Sequence, residues 1–258
     1  MPISTLRPMP KLRFDAAAFA AWGQVWRGTA GSAGRRGSPA TKQPDRFDRK
    51  QAMDFGQVFD RAFADALATM LGDIPVRPVR GDSLLPPHPN CVELGMTRIV
   101  GGIRPQNFDA AYRPDGPRVV YDSKTLNDRD SIGKNWQNMV NDLATEASTV
   151  HTRFPYCIVV FIVVLPRPAL AAAQERALVR TLERLGSRGD ERDQDHLAEA
   201  IGLCIWDPDT GTIVDDAPPA GGTLRIETLG ERIYPAYLDR YKNLPPHEAD
   251  DPGPETPA

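Results

Sequence analysis

Two carboxylates and an ammonium fall at strand spacing between Phe108 and Lys124, and that set is what metal-dependent cleavage of a phosphodiester requires. Alternate side chains of a β-strand share a face, so in Arg118 to Thr125 the side chains of Val120, Asp122 and Lys124 point one way. Phe108-Asp109-Ala110-Ala111-Tyr112 is the partner strand of a predicted hairpin, turned by Arg113-Pro114-Asp115-Gly116. Register decides whether Asp109 joins Asp122. A two-residue loop sets Asp109 opposite Val120 and diagonal to Asp122, and a four-residue loop sets it directly opposite Asp122. A three-residue loop sends it to the other face. Cross-strand Cβ pairs of this kind lie about 5–8 Å apart, a gap that a cation with metal–oxygen distances of about 2.1 Å bridges.

The chemistry follows from charge. A phosphodiester repels hydroxide, so its hydrolysis needs the phosphate oxygens neutralised and a nucleophile generated near neutral pH, and a bound Mg²⁺ does both. Asp109 and Asp122 are the expected ligands, with Mn²⁺ expected to substitute for Mg²⁺. Lys124, a point charge on a flexible stem, is expected to orient the attacking water or stabilise charge on the phosphorane. Mg²⁺ keeps waters and substrate oxygens, so two carboxylates suffice. The competing reading makes Asp122 and Lys124 an exposed ion pair, worth at most about 1 kcal/mol.

Positioning such a site requires flanking elements, and the apolar patterning supplies them. Residues 54 to 71 place Phe55, Val58, Phe59, Ala62, Ala66, Leu67 and Leu71 near helical spacing. Cys91 to Val100, Asn107 to Tyr112 and Arg118 to Thr125 are three strand candidates bounded by Pro, Gly and Asn. Ser131 to Val150 repeats Ile132, Trp136, Met139, Val140, Leu143, Ala147 and Val150, a 3.6-residue stripe. Tyr156 to Leu165 is an apolar, β-branched run of the kind that is buried on both faces.

This order of helix, three strands, helix and strand resembles the core of the PD-(D/E)XK nuclease superfamily, to which many restriction endonucleases belong. Asp109 matches the first acidic position and Asp122-Ser123-Lys124 the D-x-K element. Phe108 stands where that pattern has proline, while Pro114-Asp115 belongs to a Pro-Asp-Gly sequence that reads as a turn. The resemblance covers roughly residues 52 to 165. It implies an α/β fold with a restriction-endonuclease-like core, a mixed central β-sheet flanked by helices in the order α-β-β-β-α-β. It also implies a Mg²⁺-dependent endonuclease acting on double-stranded DNA in restriction or phage defence, working as a homodimer, with a cognate methyltransferase encoded nearby. Glu93 is then a candidate third metal ligand. The alternatives are a catalytically silent DNA-binding relative and a non-enzymatic interaction protein.

DNA contacts are expected from two places. Lys134, Gln137, Asn138 and Asn141 lie opposite the apolar stripe of their helix, at i, i+3, i+4 and i+7. Residues 27 to 50 carry Arg27, Arg35, Arg36, Lys42, Arg46, Arg49 and Lys50 against only Asp45 and Asp48, and read as a flexible basic segment able to meet phosphates.

Composition bounds the remainder. The chain has 258 residues, 41 % hydrophobic and 25 % charged, which suits one nuclease-like domain over 1–244 with a C-terminal elaboration at 168–244 and an acidic, Pro-rich, disordered tail at 245–258. A net charge of −3 argues against a general nucleic-acid coat protein. Cys91, Cys157 and Cys204 form no pair with metal-ligand spacing and suit a reducing cytoplasm. The longest apolar run falls far short of the roughly 20 residues of a membrane helix, and the N-terminus has no signal-peptide pattern. Phosphate-loop, dinucleotide-binding, hydrolase-elbow and zincin motifs do not occur.

In the C-terminal elaboration, Pro168 to Leu185 reads as a helix and the mixed-charge run 187–195 leads into a short helix through about Ile201. Leu203 to Trp206 and Thr212 to Val214 read as a hairpin around an Asp207-to-Gly211 turn. Thr223 to Thr228 is predicted as a strand, and Glu231 to Asn243 as a helix interrupted at Pro235.

Overall fold

The computed structural model describes residues 5–33, 37, 40–80, 84–86, 88, 90–167 and 170–247. The chain runs α1 (Ala16–Arg27), β1 (Ala30–Gly31), β2 (Ala40–Thr41), α2 (Arg49–Met70), β3 (Val76–Pro78), β4 (Val92–Val100), β5 (Pro105–Tyr112) and β6 (Val119–Thr125). It continues as α3 (Arg129–His151), β7 (Ile158–Pro166), α4 (Ala172–Leu185), β8 (Ala200–Trp206) and α5 (Gly230–Tyr241). Six strands form one mixed sheet in the order β3-β4-β5-β6-β7-β8. β4, β5 and β6 are an antiparallel meander, whereas β7 lies parallel to β6 and β8 parallel to β7. Parallel neighbours need a crossover long enough to return the chain, and α3 and α4 provide it.

Burial of β7 shows why the apolar run is continuous. Ile158, Val160, Ile162 and Val164 pack into one core with α1, α2 and α5, while Val159, Phe161, Val163 and Leu165 pack into a second with α3 and α4. The fold is thus α/β, helices covering both faces of the sheet. α2 starts at a capping box in which Asp48 accepts from the Gln51 backbone N–H and the Gln51 side chain accepts from the Asp48 N–H. Its seat over β6 is set by Phe63, stacked on Tyr121 with ring centroids 4.1 Å apart.

Several sequence expectations need correction. α1, capped by Asp15, is not announced by its short alanine-rich run. The expected short helix ending near Ile201 is absent, and β8 begins at Ala200, because its side chains are buried between two helical layers. The second hairpin shrinks to a single antiparallel bridge between Trp206 and Ile213, since the partner of β8 is β7. The strand expected at Thr223 to Thr228 is one parallel bridge, Leu203 to Arg225, followed by a 3₁₀ turn at Ile226–Thr228. Pro235 lies inside α5 and does not end it.

Three of the basic residues of 27–50, Arg27, Lys42 and Arg46, are tied to the body. Arg27 pairs with Asp209 (2.7 Å) and Asp45 (3.2 Å), Arg46 with Asp128 (3.3 Å), and Lys42 donates to the carbonyls of Trp26 (3.1 Å) and Arg46 (2.6 Å). Arg35 and Arg36 lie outside the described residues, as do 248–258 of the tail. Pro245 accepts from Arg118 at 2.6 Å, so the start of the tail lies against the hairpin turn. No helix among the described residues is long and apolar enough to cross a membrane.

Candidate functional site at a fork in the sheet

The β5–β6 pairing stops early. Tyr112 faces Val119, Ala111 faces Val120 and Ala110 faces Tyr121, across a six-residue turn at 113–118. The turn is clamped by Asp115, whose carboxylate accepts from Arg118 at 2.9 and 2.6 Å. An even loop preserves the parity that brings the carboxylates together, and one further step of this register sets Asp109 across from Asp122. β6 nevertheless goes on to Thr125 beside β7, and β5 reaches back to Pro105 beside β4. Between these stretches the sheet forks.

The fork has a local cause in β4. Its register against β5 shifts between Leu94 and Thr97, so that Gly95 and Met96 together stand against Asp109. Gly95 has φ +115°, a backbone state that side chains disfavour. Bulges of this kind bend a strand and re-aim its neighbours. In β5 the facing alternation breaks at the same place: Phe108 and Ala111 lie in the α3 core, Ala110 and Tyr112 in the α2 core. Asp109 therefore stands at the margin between the two faces. Its Oδ2 accepts from the Ser123 backbone N–H at 3.0 Å and from the Ser123 hydroxyl at 3.3 Å, replacing the strand partner that Ser123 has lost.

Asp122 lies on the α3 side of β6 and is 6 % exposed. Burial first, and the adjacent Asp109 second, push its carboxyl well above the usual range; Lys124 pulls it down and Glu146 pushes it up again. Its Oδ2 is engaged by the Lys124 ammonium in a close ion pair. Lys124 also reaches Glu146 of α3 at 2.8 Å. Burial disfavours its charge, but Asp122 and Glu146 outweigh that and raise its pKa. Asp109, Asp122 and Lys124 are thereby gathered at one place.

Two further carboxylates join them that sequence reasoning missed. Asp60 of α2, 7 % exposed, approaches from the other face, and its Oδ1 is buried with no hydrogen-bond partner. Burial and then Asp109 raise its pKa to about 7, against the pull of Ser123 and Tyr121. Gly56, one turn earlier, faces Ser123, whose hydroxyl would be in ordinary contact with a Cβ there. Glu146 is the second: its Oε1 accepts from Lys124 and from Gln106 Nε2 at 3.1 Å, and its Oε2 is buried and unpartnered. A signal existed for both. Asp60 stands four residues from Gly56 and from Ala64, and Glu146 three from Leu143 and four from Val150, so each is a charge inside a buried stripe.

The remaining candidates are placed elsewhere. Glu93 of β4 is fully buried with both oxygens on Arg113, at 2.5 and 2.8 Å. Lys134, Gln137, Asn138 and Asn141 form an exposed face of α3. Gly211 closes the Asp207 turn with φ +70° and an N–H to the Asp207 carbonyl at 2.8 Å, while Asp209 serves Arg27. His151 is buried in a separate network, with Glu199 3.3 Å away. Among the described residues no group of three His, Cys, Asp or Glu side chains is arranged to hold a metal ion. Comparison with family models, with curated proteins and with solved structures finds no match to this chain.

Proposed function

We propose that this chain is a divalent-cation-dependent endonuclease with a restriction-endonuclease-like core, hydrolysing phosphodiester bonds of double-stranded DNA. The observation that carries the reading is the meeting of Asp109, Asp122 and Lys124 at the fork, where the buried Asp122 carboxylate is paired with the Lys124 ammonium. The order helix, three strands, helix, strand, with the last strand parallel to the third, supports it.

The donor set suits a hard cation. All four acids offer oxygen, Asp60 presents a buried oxygen without a hydrogen bond, and the Lys124 ammonium is shared by Asp122 and Glu146. Without a cation, burial first and the neighbouring Asp109 second raise the pKa of both Asp60 and Asp122. Mg²⁺ takes one or two carboxylates and completes its shell with water and substrate oxygens, so a preformed three-ligand group is not required.

Asp109 and Asp122 would hold the cation. A bound Mg²⁺ or Mn²⁺ supplies Lewis acidity and an acidified water. Lys124, kept charged by its carboxylate neighbours, offers donors to a phosphoryl oxygen or to the attacking water. Ser123 fixes the Asp109 carboxylate through two hydrogen bonds, which spares that ligand rotamer entropy. The exposed α3 face of Lys134, Gln137, Asn138 and Asn141 supplies donors for phosphates. A restriction or phage-defence setting, a homodimer and a companion methyltransferase rest on the resemblance to the nuclease superfamily alone.

Supercoiled plasmid incubated with Mg²⁺ or Mn²⁺ tests the reading. Nicking or linearisation by the wild type, lost in Asp122→Ala and in Lys124→Ala, supports it. DNA binding without cutting under either cation would favour the silent relative, and no interaction with DNA would reject both.

A further inference from the structure

Glu146 is not among the residues that match the D-x-K pattern, yet it holds one of them. The Lys124 ammonium is shared between Asp122 and Glu146, and the Glu146 oxygen that receives it is fixed from the other branch of the fork by Gln106. The Glu146 backbone is set by the buried Leu143, Ala147 and Val150 of α3. Its carboxylate therefore cannot follow Lys124 toward β6.

An ammonium and a divalent cation compete for the same Asp122 oxygen, since both are positive and both need it at contact distance. Asp122 can ligate a cation only if the ammonium has somewhere else to reside. Glu146 is the other carboxylate on Lys124, and its second oxygen is buried without a partner, leaving it capacity for a further donor.

We infer that Glu146 is a positioning residue that retains the Lys124 ammonium when Asp122 turns to a cation, keeping it beside the site and off the ligand. This rests on the hydrolase reading above. Without Glu146 the ammonium collapses onto Asp122 and the cation has to displace it.

Calorimetric titration with Mn²⁺ in the absence of DNA tests this on four proteins: wild type, Glu146→Gln, Lys124→Met and the double variant, each checked for folding by thermal melting. Supporting contacts to metal ligands typically carry about ten- to a hundredfold in affinity. Glu146→Gln is accordingly expected to weaken Mn²⁺ about tenfold where Lys124 is present, and to cost distinctly less in the double variant, where an uncharged side chain replaces the ammonium. The through-space loss of a negative charge is common to both backgrounds, so the excess is the readout. Glu146→Asp, one methylene short, should fall between wild type and Glu146→Gln, and it replaces the latter should that variant not fold. Equal losses in both backgrounds would make Glu146 a direct ligand and overturn the positioning role, as would no loss in either. Mn²⁺ taken up by none of the four proteins overturns the cation reading itself, an outcome distinct from a failure confined to Glu146.

Discussion

Asp109 accepts the backbone N–H of Ser123 at 3.0 Å, so a side chain of one strand stands in for the missing main chain of its neighbour where the sheet opens. The same carboxylate thus has a structural role and a proposed chemical one, and the two separate by substitution. Asp109→Asn keeps an oxygen for the Ser123 N–H but loses the charge. It should retain stability within about 1 kcal/mol while abolishing cleavage. Asp109→Ala also strands the N–H and should cost about 1–3 kcal/mol more. Urea unfolding paired with the plasmid assay checks both, and equal destabilisation by the two variants would contradict the role given to the hydrogen bond.

Asp60 makes the cation-free protein pH-sensitive. Its carboxyl has an ordinary value of 3.8 and is raised to about 7 in the folded chain, by burial first and by Asp109 second. Below the unfolded value both states hold the proton and the contribution to stability is complete. As pH rises from about 4 toward 7 the folded chain keeps a proton that the unfolded chain has released, so stability declines, by at most about 1.4 kcal/mol per pH unit. Above that window the contribution is level. In chelator, Asp60→Asn should be the more stable protein at pH 7 and should lack this part of the decline. Parallel pH profiles for the two proteins would show that Asp60 is not the group responsible.

What was legible in the chain were the elements that declare themselves locally. The Phe55-to-Leu71 periodicity, the alternation around Asp122 and the apolar run of β7 each carry a strong period, and the structure places α2, β6 and β7 there within a few residues. The parity of the hairpin was legible as a condition, not as a result, because it depends on a six-residue turn held by Asp115 and Arg118. The fork was not legible. It needs the β4 bulge at Gly95 and Met96 to face Asp109, a register between strands that neither strand encodes alone. Asp60 and Glu146 escaped because the stripes that announce α2 and α3 were traced through apolar residues alone, which passes over a charge lying within them. The short segments after β8 were misread because their state is decided by packing against β8 and α5, where propensity is weak.

Glu199 holds the end of the sheet opposite the fork. Its side chain is 1 % exposed and meets Arg240 at 2.8 Å, Arg188 at 3.1 Å and His151 at 3.3 Å, and it accepts from the Val159 N–H at 2.8 Å. Burial alone would push its carboxyl up, but His151, Arg240 and Val159 together hold it below its ordinary value. Removing this one acid strands buried cations, which costs about 3–5 kcal/mol in comparable pairs. Glu199→Gln should therefore be among the most destabilising single changes in the chain. Its penalty should shrink as pH falls below the ordinary carboxyl range, where the wild type loses the same charge. A melt within a degree or two of wild type would refute the hub.

Gly23 decides the sign of a substitution that usually helps. In an exposed helix interior Gly→Ala stabilises by about 1 kcal/mol. In α1, however, a Cβ at Gly23 would lie 1.6 Å from the Pro208 carbonyl oxygen, in the turn that follows β8, and backbone cannot swing aside as a side chain can. Overpacking typically costs about 1–3 kcal/mol, which exceeds the helix gain, so Gly23→Ala should destabilise the protein. Because α1 also carries Trp26, whose indole N–H donates to the Asn127 carbonyl at 2.7 Å just beyond β6, displacement of the helix should reach the fork and lower cleavage as well. Chemical unfolding and plasmid nicking read the two effects separately. A stabilised Gly23→Ala protein would mean that α1 does not rest on the Pro208 turn in solution.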